Sequence, residues 1–220
     1  MYQKFRSFIQ SITPQPIWSL ASKLKTKFLA IKYRVGLRPV VSAETSKARA
    51  RRLREGFFEK YCVGKGLDIG FGGDLILPDA TGWDFEHGDA QFLKGVEDCS
   101  YDYVYSSHTL EHVYDVKTTL NNWWRVLKPG GFLILYIPHR DLYEKKKQLP
   151  SIFNPTHQRF FLINENDPPD TVGIVPFLND TLKNFELIYA KECSEGHTVK
   201  DPLLHSDGEY SIEVVIKKIK

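Results

Sequence analysis

The sequence predicts a doubly wound α/β fold, and three observations carry that reading. From residue 64 onward, short apolar runs of strand length alternate with helix-spaced segments. One of the runs, "FLILYIP", is apolar without interruption, as strands in the middle of a parallel sheet are. The first run closes on a glycine turn, "DIGFGGD", of the kind that brings backbone close to a ligand at the carboxyl edge of such a sheet.

Taken in order, the chain begins with "PIWSLASKLKTKFLAIKYR", where Ile17, Leu20, Leu24, Phe28 and Ile31 recur at helical spacing. Lys23, Lys25, Lys27 and Lys32 fill the remainder, and Pro16 suits a first helical turn. Residues 1–45 therefore read as a basic amphipathic extension ahead of a domain over 46–220. A second helix is predicted in "SAETSKARARRLREGFFEKYC", capped by Ser42 or Thr45. "GKGLDIG", "TGWDFE" and "YDYVYSS" are strands. A helix over "DVKTTLNNWWRVL" follows, stopped by "KPGG", with Trp123 and Trp124 packing beside Leu120 and Leu127. "FLILYIP" comes next, and "FELIYAKEC" and "EYSIEVVIKKI" give two late β runs. Pro-, Asn- and Asp-rich stretches between residues 140 and 185 predict a long irregular insertion covering the functional rim.

Composition narrows the classes of function. A chain of 220 residues can bury one sizeable core with an extension to spare. Cys62, Cys99 and Cys193 are odd in number and form no CxxC, which argues against a disulfide framework or a zinc knuckle and suits a reducing compartment. No apolar run approaches the ~20 residues that span a bilayer, and the first residues lack the apolar centre of a secretory signal. The expected location is cytoplasmic, peripheral to the inner face of the membrane if the extension engages it. The net charge of +3 conceals a split. Residues 1–54 hold 13 basic residues and one acid, leaving 17 of the 30 basic and 26 of the 27 acidic residues to the rest, a balance of −9. Residues 1–36 thus suit an anionic membrane surface or an assembly partner, with packing on the chain's own domain as the other reading. The negative remainder disfavours a nucleic-acid partner.

The glycine turn departs from a dinucleotide fingerprint, because the last position counted from Gly70 is Leu75. Asp84 ends the next strand, and "GDAQFL", "SYDYVYSSHTLEHV" and "RVLKPGGFLILYIP" follow. In this order the set resembles the class I S-adenosylmethionine-dependent methyltransferases, in particular the methyltransferase type 11 group, over roughly residues 60–140. The resemblance implies a Rossmann-like sheet of seven strands with an antiparallel last strand. It implies that Asp68, Gly70 and Gly72 line the methionine part of S-adenosylmethionine, and that Asp84 binds the ribose. Asp89 and Ala90 would face the adenine, and Ser106, Ser107 and His108 would lie beside the sulfonium. One departure stands out: only ten residues, Pro78 among them, separate Gly73 from Asp84, where the family carries a helix of several turns.

His108, Glu111 and His112 also spell H-x-x-E-H, a zinc-peptidase motif. Here it follows a strand of a nucleotide-type sheet, where methyltransferases read "LEH", so proteolysis is not the expectation. It partly resembles the E-x-x-E-H of ubiquinone-pathway methyltransferases, which binds a divalent ion, with His108 replacing the first acid. The expectation is a metal-free segment, with a divalent ion as the alternative. Proton-accepting candidates are His112, His108 and, in "IPHRDLYE", His139; His157 lies in the insertion. The leader "FIQSITPQPIWSLASKLK" and the run ending in "IPHRDLYE" resemble methyltransferases of bacterial surface-polysaccharide pathways. The implied activity is O-methylation of a sugar or glycan-linked small acceptor. The alternatives are a non-catalytic S-adenosylmethionine-binding regulatory or scaffold protein, and a quinone-type or RNA methyltransferase.

Overall fold

The computed structural model describes residues 44–220; the expectations for the amphipathic segment and for Ser42 lie outside the described residues. The predicted helix over 42–62 is broken into three short ones, α1 (Glu44–Lys47), α2 (Arg49–Arg54) and α3 (Phe57–Tyr61). The turn at Gly56 lets Phe57 and Phe58 both bury against the sheet, which adjacent residues of one straight helix rarely do. Thr45 caps nothing; it lies inside α1 and bonds the Tyr105 hydroxyl at 3.2 Å.

The main sheet contains β1 (Gly66–Ile69), β2 (Thr81–Trp83), β3 (Tyr101–Ser107), β4 (Leu127–Pro138), β7 (Phe185–Cys193) and β8 (Ser211–Lys218). Their order is β2-β1-β3-β4-β8-β7. The first four pair in parallel, and β8 runs antiparallel to both β4 and β7. The expected seven strands are corrected to six among the described residues. Beyond β2, residues 84–100 are spent on turns such as His87 N–H to Asp84 O and Leu93 N–H to Asp89 O. The side chains of Asp84 and Asp89 also take the N–H groups of Phe85 and Gln91, which a ladder would need.

Alternation along the strands builds a core on each face. Leu67, Ile69, Val104, Leu133 and Leu135 pack under α4 (Val116–Val126), whose Leu120 and Trp123 are fully buried. Asp115 caps α4 by accepting from Thr118 N–H at 2.9 Å. Tyr103, Tyr105, Ile134 and Tyr136 face the other way, against Phe57 and Phe58. The insertion is more ordered than its composition predicts. It carries a π-helical turn at Arg140–Glu144, a two-stranded parallel sheet of β5 (Phe160–Leu162) and β6 (Thr171–Gly173), and α5 (Ile174–Thr181). Burial of Phe160, Phe161 and Leu162 is what orders it. Among the described residues, no helix is long and apolar enough to cross a membrane.

Strand order reverses beside β1, since β2 lies on one side of it and β3 on the other. The carboxyl ends of the three strands lie side by side at this switch point, which is where open α/β sheets bind ligands.

Candidate active site

The loop leaving β1 has little room on one side and much on the other. Gly70 has φ +74°, and a Cβ there would lie 2.0 Å from Thr109 Oγ1, so the segment after β3 closes directly over it. Gly72 has φ +57°, and a Cβ there meets no atom within 4 Å. Gly70 N–H donates to Trp83 O at 2.8 Å, and Gly72 N–H to Asp84 Oδ2 at 3.2 Å. Asp84 therefore sits at the carboxyl end of β2, tied to the glycine turn. Residues 74–80, where a helix is the family pattern, form turns. Asp68 holds them in place by accepting from Ile76 N–H at 2.6 Å. Its other oxygen is buried without a hydrogen bond, and burial pushes the carboxyl well above the ordinary aspartate range.

β3 delivers the next residues in register. Ser106 pairs opposite Ile69, and its hydroxyl donates to Ile69 O at 3.0 Å. The Ser107 hydroxyl is buried with no partner. Asp68, Gly70, Gly72, Asp84, Ser106 and Ser107 thus gather at the carboxyl ends of three neighbouring strands. Asp89 and Ala90 lie further along, in the turns beyond β2. Asp89 Oδ1 accepts from Gln91 N–H at 2.8 Å, and Ala90 O accepts from Trp123 Nε1 at 2.9 Å.

Beside these strand ends stands a buried group of imidazoles and carboxylates. His108 follows β3 at φ +47°; its N–H donates to Tyr136 O, and its Nε2 lies 2.8 Å from Ser211 Oγ on β8. Leu110–His112 is a single 3-10 turn, not the long helix a zinc peptidase requires. Glu111 is fully buried, and neither of its carboxylate oxygens has a hydrogen bond. Burial pushes it up to about 8. His112 is pulled down to about 4, by burial first and then by His157, whose ring is 4.8 Å away. Burial also depresses His108 well below, and His139 below, the ordinary histidine range. All three are therefore neutral near pH 7, the form that can accept a proton.

His139 stands apart from this group. Its Nδ1 accepts from Asp141 N–H, and its Nε2 lies 3.6 Å from Glu192 on edge strand β7. The insertion supplies what sequence spacing did not reveal. His157 Nδ1 is 2.6 Å from Glu144 Oε1, Gln158 N–H donates to Glu111 O, and Arg159 donates to Leu110 O and Tyr114 O. From the amino-terminal side, Glu44 Oε2 comes within 3.9 Å of His108 Nε2. Sequence pattern flagged Glu111 and His157, but it offered no signal for Glu144, Glu44 or Ser211, which lie 33 to 103 positions from Glu111 or His108 in the chain.

Residues 67–135 match the family model described as "Methyltransferase domain". A protein from Mycolicibacterium smegmatis named as a probable S-adenosylmethionine-dependent methyltransferase is 32% identical over 76 residues, 34% of this chain. The chain spans only 28% of that relative's length. A solved structure described as "Conversion of a Disulfide Bond into a Thioacetal Group during Echinomycin Biosynthesis" has a TM-score of 0.52 at 12% identity, over 89% of this chain and 93% of that one. A S-adenosylmethionine-dependent methyltransferase from Archaeoglobus fulgidus has a TM-score of 0.47 at 19% identity, over 80% of this chain and 94% of that one. The former likeness shows the fold. The match to the methyltransferase domain model thus falls on β1 to β4, the part of the chain that carries the glycine turn and the end of β3.

Proposed function

We propose that the chain methylates oxygen on a sugar or glycan-linked small acceptor, using S-adenosylmethionine. The observation that carries the reading is the glycine turn tied to Asp84 beside the half-buried imidazoles of His108 and His112. The residues present fit the cofactor of this domain class: Asp68 Oδ1 and Ser107 Oγ are buried without partners, and the space beside Gly72 is open. When bound, the cofactor supplies a methyl group on a positively charged sulfur.

The chain's own part is to position and to hold a proton. Asp68, Gly70, Gly72, Asp84, Ser106 and Ser107 form the cofactor side, with Asp89 and Ala90 as the proposed adenine side. Of the three proposed proton acceptors, His108 is the best placed. It directly follows β3, and Ser211 holds its Nε2, which leaves Nδ1 to take the acceptor's hydroxyl proton. His112 has Nδ1 engaged by Thr156 Oγ1 at 2.9 Å, and His139 is committed to the other edge. The sugar assignment rests on the sequence resemblance alone.

Two glycines separate cofactor binding from folding. Gly72→Arg meets no atom of the fold and strains only its own backbone at φ +57°, so a folded protein that no longer binds S-adenosylhomocysteine is the expected calorimetric result. Gly70→Arg collides with Thr109 and should lower the melting temperature as well. A folded Gly72→Arg protein with undiminished affinity overturns the cofactor placement. Methyl transfer to a panel of sugars then tests the acceptor. Binding of S-adenosylhomocysteine without turnover on any acceptor favours the regulatory alternative.

Residues 1–36 are proposed to attach the protein to an anionic surface. Lys47, Arg51, Arg52 and Arg54, all among the 13 basic residues in 1–54, are already paired within the fold, with Glu44, Glu209, Glu213 and Glu195. The attachment therefore rests on the earlier lysines and arginines, each contributing about 1 kcal/mol near such a surface. Deleting residues 1–36 should leave S-adenosylhomocysteine binding intact and abolish salt-sensitive sedimentation with anionic vesicles. Equal sedimentation of both forms removes this assignment.

A further inference from the structure

Glu111 is held in a position that its surroundings do not explain. A fully buried carboxylate lacking every hydrogen bond is costly. Three imidazole nitrogens nevertheless surround its Oε1: His112 Nε2 at 3.7 Å, His157 Nε2 at 3.9 Å and His108 Nδ1 at 3.7 Å. These separations are too long for hydrogen bonds. Had Glu111 simply been a buried acid sharing its proton with a histidine, one of them should close below about 3 Å. They are close to another spacing. Two donors bound to one tetrahedral ion at about 2.0–2.1 Å stand roughly 3.4 Å apart.

The outer nitrogens of the same rings are already occupied. His157 Nδ1 meets Glu144 Oε1 at 2.6 Å, and His112 Nδ1 meets Thr156 Oγ1 at 2.9 Å. A partner on Nδ1 fixes each ring and turns the Nε2 lone pair inward, as metal-binding histidines require. One donor atom from each of Glu111, His112 and His157 falls within 4.8 Å of the others. We propose that Glu111, His112 and His157 bind one divalent transition-metal ion, with Glu144 orienting His157. This replaces the metal-free expectation for the segment. Two imidazole nitrogens and one carboxylate oxygen suit zinc and its first-row neighbours better than magnesium or calcium, which prefer all-oxygen shells.

Three protein donors leave a tetrahedral ion one position for water or an acceptor oxygen. On the methyl-transfer reading, the ion lies next to His108, where it would lower the pKa of an acceptor hydroxyl and ease proton transfer. That consequence rests on the proposed function; binding of the ion does not, and it is read without methyl donor or acceptor.

The test uses the full chain, free of affinity tag, stripped with chelator and dialysed. Calorimetric titration with zinc chloride should show one equivalent bound per chain, and cobalt(II) should give the visible absorption of a tetrahedral ion. Glu111→Gln and His157→Ala should each weaken zinc binding by 100-fold or more. Glu144→Gln should weaken it about 10–100-fold, the usual effect of losing a group that orients a ligand. His197→Ala, remote from the cluster, should leave it unchanged. Glu111→Gln also guards against misfolding as an explanation. It replaces an unpaired buried carboxyl by a group of the same shape, so without metal its melting temperature should match that of wild type. Zinc should raise melting of wild type and not of this variant. Binding of less than half an equivalent overturns the proposal, as does equal zinc affinity in folded Glu111→Gln and His157→Ala proteins.

Discussion

His108→Asn is expected to lower turnover by about 10²–10⁴-fold while leaving S-adenosylhomocysteine affinity within about twofold of wild type. Asparagine is the informative substitution because position 108 sits at φ +47°, a left-handed conformation that asparagine adopts more readily than alanine. The backbone and its bond to Tyr136 O should survive, and the proton-accepting nitrogen is removed. A purely structural role would show differently. The ring lies within 5.7 Å of the rings of both Tyr136 and Tyr210, so a packing histidine should lower the melting temperature and leave turnover per folded molecule unchanged. That outcome would transfer the base to another group. Single-turnover measurement with saturating cofactor separates the two, because a base acts on the chemical step and not on cofactor binding.

The parts of this site that sequence revealed are those encoded locally. The turn after β1 and the serines ending β3 each follow an apolar run within a few residues, and strand periodicity places them at one edge. Asp84 was legible for the same reason, despite the shortened segment before it. Asp68 explains how that segment dispenses with a helix, by gripping Ile76 N–H from inside the sheet. The seventh strand was inferred from resemblance, and nothing in "FEHGDAQFLKGVEDCS" has strand periodicity. The ordering of the insertion was hidden because its apolar clusters, "RFFLI" and "VGIVPFL", are short and separated by Pro, Asn and Asp. Least legible was the lining of the histidine pocket. Glu144, Thr156, Ser211 and Glu44 come from four separate segments, and only the fold brings them together.

Glu213→Gln is expected to cost about 3–5 kcal/mol of stability at pH 7, the range found when one partner of a buried ion pair is removed. Glu213 is fully buried on β8. It accepts from Arg52 Nε at 2.7 Å, from Arg51 Nη1 at 3.0 Å and from the Tyr189 hydroxyl at 3.0 Å. Burial alone would raise its pKa, but Arg52 and Arg51 outweigh burial and hold the carboxyl down to about 2. Arg52, itself fully buried, is further committed to the Tyr105 hydroxyl at 3.0 Å and lies 4.7 Å from the Tyr136 ring centre. Removing the carboxylate strands the Arg52 guanidinium in the core, while Arg51 keeps Glu209. The pH dependence follows with a definite sign. The folded pKa is depressed from 4.5, so the stabilisation is complete above pH 4.5 and is lost as pH falls from 4.5 toward 2. Wild type should therefore lose stability steeply over that interval. Glu213→Gln should lack most of that slope, so that the two proteins converge near pH 2. A variant that matches wild type at pH 7, or one displaced equally at every pH, would show that the ion pair is not what stabilises this contact. The contact also bears on the active site. The same guanidiniums dock α2 onto β8, and β8 carries the Ser211 hydroxyl that holds His108 Nε2. A Glu213→Gln protein that remains folded at low temperature should lose turnover before it loses S-adenosylhomocysteine binding, because the proposed cofactor side is built on β1, β2 and β3 and His108 leans on β8.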